Sequence, residues 1–237
     1  MEKKGKTGHF VGSIVNIAEQ AMPTGVQKYK IIDGQQRMTT LTLLLLALRD
    51  YAVVHPEDTS INAHRIDGML LKNEFETGDE RYKLLLTETD RNILISLVES
   101  KPIDADTRSR LLDNYKYFVG KIADKELAPT EVWESIGKLQ IVNITLDRVL
   151  DDAQAIFESL NSTGKELSES DLIRNYVLMG LESSEQTQVY EHLWRPMEQR
   201  FIYETQATVM DAFFRHYLTM KISRIPKQGR VYEEFKL

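Results

Sequence analysis

The sequence predicts an α+β fold dominated by helices, with a small β-sheet as its functional core. Three observations carry this expectation. Two short β-type runs, residues 10–18 and 27–32, open the chain. A strongly apolar helical run, 38–54, follows at once, and helical patterns fill most of what comes after. A single β-branched run, Leu139–Asp147, interrupts those patterns late in the sequence.

The segment between the first two runs holds Met22-Pro23-Thr24-Gly25, a turn composition, so a hairpin is expected. From Met38 onward, Leu41, Leu45, Leu48 and Ala52 share one helical stripe and further leucines fill its flanks. This predicts a helix buried nearly all round, ending before Pro56. Helical patterns recur at about 60–73, 88–99, 106–123 and 130–138, with Tyr82–Leu86 a short extended piece. Leu139–Asp147 alternates Ile, Asn and Thr as a strand does. Its expected return to the N-terminal sheet would bring the segment from Asp151 onward beside the hairpin. Helices at about 152–161, 169–180, 185–200 and 205–221 complete the chain. The organisation expected is a core of residues 1–55 plus 139–180, a helical insertion at 56–138 and a C-terminal helical segment at 181–237.

Composition narrows the classes. Hydrophobic residues at 42% and charged residues at 28% are ordinary for a globular chain able to bury a real core. The absence of cysteine excludes disulfides and suits a reducing cytoplasm, the expected location. His9, His55, His64, His192 and His216 are scattered, with no pair at metal-ligand spacing. The longest apolar stretch, 41–48, falls well short of the roughly 20 residues of a membrane span, so no membrane partner is expected. The basic start lacks the apolar segment of a secretory signal. A net charge of −6 argues against a protein that coats nucleic acid non-specifically. The clearest basic patch is Lys221, Arg224, Lys227, Arg230 and Lys236, diluted by Glu233 and Glu234; a solvated helix-loop-helix surface is the better explanation of it.

The most informative string is Ile31-Ile32-Asp33-Gly34-Gln35-Gln36-Arg37, followed by Met38-Thr39-Thr40-Leu41. A strand-to-helix turn needs a glycine and an N-cap, not an acid, two carboxamides and an arginine. At a helix N-terminus, free N–H groups and the positive end of the macrodipole favour anions. Arg37 can fork onto phosphate, Asp33 can hold a metal or a water, and Gln35 and Gln36 can hydrogen-bond without titrating. The residues also fit a plain turn, with Asp33 or Thr39 capping the helix and Arg37 in a surface ion pair.

A second block runs Ile156-Phe157-Glu158-Ser159-Leu160-Asn161-Ser162-Thr163-Gly164-Lys165-Glu166-Leu167-Ser168, then Asp171-Leu172-Ile173-Arg174-Asn175. Ser162–Lys165 is no Walker A loop, because Ser159 stands where its first glycine belongs and Glu166 follows the lysine. Asn161 and Gly164 can end one helix, and Ser168 can start the next with Asp171 at the capping-box position. Leu172, Tyr176 and Met179 would then face a core. Glu158, Asn161 and Arg174 are left over as polar residues beside apolar stripes, and Glu158 and Asn161 share a helix face.

Together the two blocks, in this order and some 120 residues apart, resemble the signature of the GmrSD-type family of restriction systems. Its N-terminal domain is related to ParB and sulfiredoxin, and the resemblance covers nearly the whole chain. It implies a ParB/sulfiredoxin-like sheet core that binds or hydrolyses a nucleoside triphosphate with Mg²⁺. Asp33, Arg37 and Glu158 would be catalytic, with Asp33 as the possible metal ligand. Gly34, Gln35, Gln36, Arg37, Thr39, Asn161 and Arg174 would contact the nucleotide. The implied partners are an HNH nuclease domain or subunit and, through it, DNA in an anti-phage setting. The family's opening tyrosine-glutamine-arginine segment and its HNH domain are not found, so the chain reads as a fragment or one part of a split system. A non-catalytic module that binds a nucleotide or modified DNA, or a truncated inactive fragment, is the competing expectation.

Overall fold

A computed structural model describes residues 8–19, 25–124, 126–146, 155–156, 159, 167–179, 181, 185, 188–201 and 206–237. The chain divides into two compact units, Met1–Asp147 and Arg148–Leu237. The α+β, helix-dominated class is observed, with the sheet in the first unit.

Strands β1 (His9–Ala18) and β2 (Tyr29–Asp33) pair antiparallel, as the hairpin expectation required. Strand β3 (Leu139–Leu146) returns to this sheet and lies parallel to β1, giving the order β2-β1-β3. A parallel neighbour requires a crossover, and here the long helical stretch between Asp33 and Leu139 completes it. The β1–β3 register slips between Phe10 and Gly12, and the β1–β2 register between Val15 and Asn16. Each slip is a bulge that bends the strand locally.

Helix α1 spans Gln35–Val54, so it begins three residues before the expected Met38. The reason is Gly34. Its left-handed conformation (φ 96°) turns the chain sharply enough for the polar residues Gln35–Arg37 to form the first helical turn. The buried face comprises Leu43, Leu46, Ala47, Leu48 and Ala52, with Leu41 and Leu45 only half-buried. Around it pack Ile61, Ile66, Leu71, Leu94, Leu97, Val98, Leu111, Leu112 and Ile122.

The helix expected over 60–73 is broken. A short turn α2 (Ala63–Arg65), capped by the Asn62 side chain, runs into a π-helical turn, Ile66–Leu71. Lys72 N–H closes that turn by reaching back five residues to the Asp67 carbonyl at 2.8 Å. The next piece is a 3₁₀ turn, Gly78–Arg81, and Tyr82 makes one antiparallel bridge to Lys72 rather than starting a strand. Helices α3 (Glu88–Val98), α4 (Arg110–Ala123) and α5 (Pro129–Ile136) follow. Helix α4 starts later than its pattern suggested because the Ser109 hydroxyl accepts the Leu111 N–H and caps it there.

In the second unit, α6 (Glu169–Met179), α7 (Arg195–Gln199, preceded by a π turn at Tyr190–Trp194), α8 (Gln206–Ile222) and α9 (Val231–Phe235) are described. Their core is Ile173, Trp194, Met210, Phe214, Leu218, Val231 and Tyr232. Ser168 caps α6 as its spacing with Asp171 foretold, accepting the Asp171 N–H at 3.1 Å. The core face of α6 is centred on the fully buried Ile173, with Leu172 packed at its margin and Tyr176 38% exposed. No helix among the described residues is long and apolar enough to cross a membrane.

Candidate functional site

The turn from β2 into α1 places Asp33 at the end of a strand and Arg37 one helical turn later. The four-residue separation is the spacing at which side chains on one helical face meet. Arg37 Nη2 donates to Asp33 Oδ2 at 2.6 Å, and both side chains remain about one-third exposed, at 34% and 29%. The ion-pair expectation for Arg37 therefore holds, with Asp33 as its partner. The capping expectation does not hold. Gly34 occupies the N-cap position, no side chain caps the helix, and no acidic residue sits in its first turn. The Thr39 hydroxyl instead donates within the helix to the Gln35 carbonyl at 2.9 Å.

The floor of the turn is β1. A Cβ on Gly12, whose φ is +116°, would meet Arg37 Nη1 at 2.6 Å, so the guanidinium rests directly on the glycine backbone. A Cβ on Gly34 would meet Ile14 Cγ1 at 3.0 Å and the Ser13 carbonyl at 3.3 Å. Both glycines are therefore close approaches as well as positive-φ turns. Arg37 has five N–H donors in a fixed fork. Among the described residues its Nε is buried with no hydrogen-bond partner, and its side chain bonds to Asp33 alone. Gln35 donates back to the Ile31 carbonyl at 3.1 Å, and Gln36 is exposed. The arrangement is a cationic fork and an uncapped helix start, open to solvent, with one carboxylate beside them. Free helix N–H groups and a guanidinium are the kinds of donor that can receive an anion.

Beside it, β1 and β3 carry a polar cluster absent from the sequence expectations. Asn16, only 4% exposed, donates through Nδ2 to Asn143 Oδ1 at 2.6 Å and accepts from the Thr145 hydroxyl at 3.0 Å. Asn143 and Thr145 themselves are exposed. The signal available in the sequence was the repeated polar residue in two otherwise β-branched runs. Without the strand register, nothing linked position 16 to positions 143 and 145.

Of the other expected site residues, Glu158 and Asn161 lie outside the described residues, as does the Ser162–Lys165 stretch. Arg174 lies in the second unit, 31% exposed, bridging Asp171 at 3.0 Å and Glu198 at 3.1 Å. Glu198 also accepts from the Trp194 indole at 2.8 Å, so Arg174 has a structural tie between α6 and α7. No cluster of three or more acidic or histidine side chains suited to a metal occurs among the described residues. A divalent ion that keeps several waters and shares phosphate oxygens needs only one or two protein carboxylates, and Asp33 is the one carboxylate at this turn among the described residues.

A family model described as GmrSD restriction endonuclease, N-terminal domain, matches residues 2–178. The matched range contains both the Asp33–Arg37 turn and the second block through Asn175. No curated protein matches the chain.

Proposed function

Since the chain belongs to the GmrSD restriction endonuclease N-terminal domain family, and so to a GmrSD-like restriction system, we propose that it is that system's nucleotide-binding module, hydrolysing a nucleoside triphosphate to regulate a nuclease partner acting on DNA. The observation that carries this reading is the Arg37 guanidinium, set against Gly12 with Asp33 as its one hydrogen-bond partner among the described residues.

In the resting arrangement Asp33 neutralises Arg37. A triphosphate arriving over the start of α1 competes for the fork, because a phosphate offers more acceptor oxygens and more charge than one carboxylate. Arg37 then stabilises charge developing on the phosphoryl group, the dominant contribution in phosphoryl transfer. Asp33, released, would orient water or hold Mg²⁺, and the ion would supply charge neutralisation on the phosphates. Gln35, Gln36 and Thr39 line the same helix start and contact phosphate or ribose. Glu158, Asn161 and Arg174 are proposed second-block contributors on the strength of the family resemblance. Nucleotide state would bias the nuclease partner by shifting a conformational population.

A non-catalytic switch is the second reading. The exposed Asp33–Arg37 pair favours it, since a site closed against water would better suit hydrolysis. Equilibrium binding of the four ribonucleoside triphosphates with Mg²⁺ tests what both readings share. The parent chain is expected to bind at least one of them, and Arg37→Ala to weaken that binding by at least tenfold. No binding by the parent chain, or equal binding by the variant, would contradict the nucleotide site.

A further inference from the structure

The geometry points to Asn143 as a second recognition element of the same site, one that contacts the nucleoside portion of the bound nucleotide. We infer this on top of the nucleotide reading of the Asp33–Arg37 turn.

The strand register supplies the placement. Asn143 of β3 lies opposite Ile14 of β1, and Thr145 lies opposite Asn16. Cross-strand partners share a face, as do residues two apart on one strand. Ile14, Asn16, Asn143 and Thr145 therefore line one face of the sheet, which the Asn16 hydrogen bonds to Asn143 and Thr145 corroborate. Gly34 packs against Ile14 on β1, and Arg37 rests on Gly12 two residues earlier. Along the strand, Asn143 is displaced from the Gly12 level by about 7 Å, two residues of rise. A nucleotide with its phosphates on Arg37 can span that displacement with its sugar and base.

The hydrogen-bond pattern shows which atoms are offered. Asn16 is 4% exposed, a burial that costs an amide unless it is hydrogen-bonded. Its Nδ2 donates to Asn143 Oδ1 and its Oδ1 accepts from the Thr145 hydroxyl, and the first bond orients the Asn143 carboxamide. Asn143 Nδ2 is left without a partner among the described residues, on an exposed side chain. The face therefore presents two groups of donors, the Arg37 fork, whose Nη2 is held by Asp33, and the Asn143 amide. The first suits phosphate oxygens. The second suits an acceptor on the sugar or base, with Asn16 and Thr145 as positioning residues behind it.

The test compares calorimetric binding of nucleoside triphosphates and of inorganic tripolyphosphate, each with Mg²⁺, to the parent chain and to Asn143→Ala. The expected result is about a tenfold loss of nucleoside triphosphate affinity, the scale of one hydrogen bond, with tripolyphosphate affinity unchanged. Loss of both in equal measure, or of neither, would overturn the inference while leaving the phosphate site standing. Equal affinity of the parent chain for the two ligands would overturn it as well. A parent chain that binds neither would remove the site reading and this inference together. Should the alanine variant fail to fold, Asn143→Leu keeps the volume, lacks the donor, adds no charge and is expected to show the same selective loss.

Discussion

Gly34 carries the local geometry on which the site depends. Its φ of +96° lies where a Cβ costs about 1–2 kcal/mol, and that Cβ would also crowd Ile14 at 3.0 Å. Gly34→Ala is therefore expected to lower stability by about 1–2 kcal/mol, seen as a drop of several degrees in Tm, and to weaken nucleotide binding by shifting Arg37. An unchanged Tm would show that the turn relaxes freely. The sequence disclosed Asp33, Gly34 and Arg37 because their types are out of place in a bare turn. It did not disclose that the partner of Arg37 is Asp33 or that its support is Gly12, since both depend on the start of α1 and on the bulge in β1. Asn16 was illegible for a related reason. An asparagine in a strand reads as solvent-facing, and only the parallel return of β3 gives it partners.

At the level of elements, α1 is tied to its neighbours by a charged network in the first unit's interior. Arg49, 5% exposed at its side chain, donates to the Leu97 and Val98 carbonyls at 2.8 and 2.7 Å, and so caps the C-terminus of α3. It also pairs with Asp50 and Asp67; Lys72 joins Asp67 to Glu99, and Arg81 pairs with Glu99. The helical stripe in the sequence was readable, but a buried arginine within it was not, because its acceptors lie nearly fifty residues away. Burial pushes the Asp67 carboxyl up, but hydrogen bonds from Lys72 and Arg49 outweigh it, leaving the group below its ordinary 3.8. Burial likewise raises Glu99, and Arg81 and Lys72 bring it below its ordinary 4.5. Burial, with a hydrogen bond to Asp50, pushes the Tyr115 phenol well above its ordinary 10.0. The signs then follow. The carboxylates contribute stability that is present above their ordinary values and lost as pH falls through the lowered ones. The phenol contributes stability present below 10.0 and lost as pH rises toward its raised value. Thermal unfolding followed against pH should show a plateau between these limits with a fall on each side. Tyr115→Phe should flatten the alkaline limb and leave the acid limb in place; an unaltered alkaline limb would sever it from Tyr115.

For the whole molecule, the fold class, the hairpin, the strand that returns at 139–146 and the capping of α6 by Ser168 were all legible, because each rests on local periodicity or a short-range hydrogen bond. The broken helix at 63–71 and the short helix Val231–Phe235 were not. The first breaks at a five-residue hydrogen bond, and the second owes its place to Val231 and Tyr232 packing in the core and to the Glu169 carboxylate accepting the Tyr232 N–H at 2.6 Å. The basic run noticed in the tail proves largely engaged, with Arg224 paired to Glu234, Arg230 to Glu233 at 3.7 Å, and Lys236 over the Tyr232 ring at 4.6 Å. With a net charge of −6 besides, the tail offers little free cationic surface among the described residues, and the proposed phosphoryl chemistry rests on the Asp33–Arg37 turn. The most direct measurement is phosphate release from each of the four ribonucleoside triphosphates with Mg²⁺, comparing the parent chain with Arg37→Ala. Release by the parent chain that falls by two orders of magnitude or more in the variant, about the effect of losing one transition-state charge contact, is the predicted result. Release that persists unchanged in Arg37→Ala, or none from the parent chain, would contradict hydrolysis at this turn.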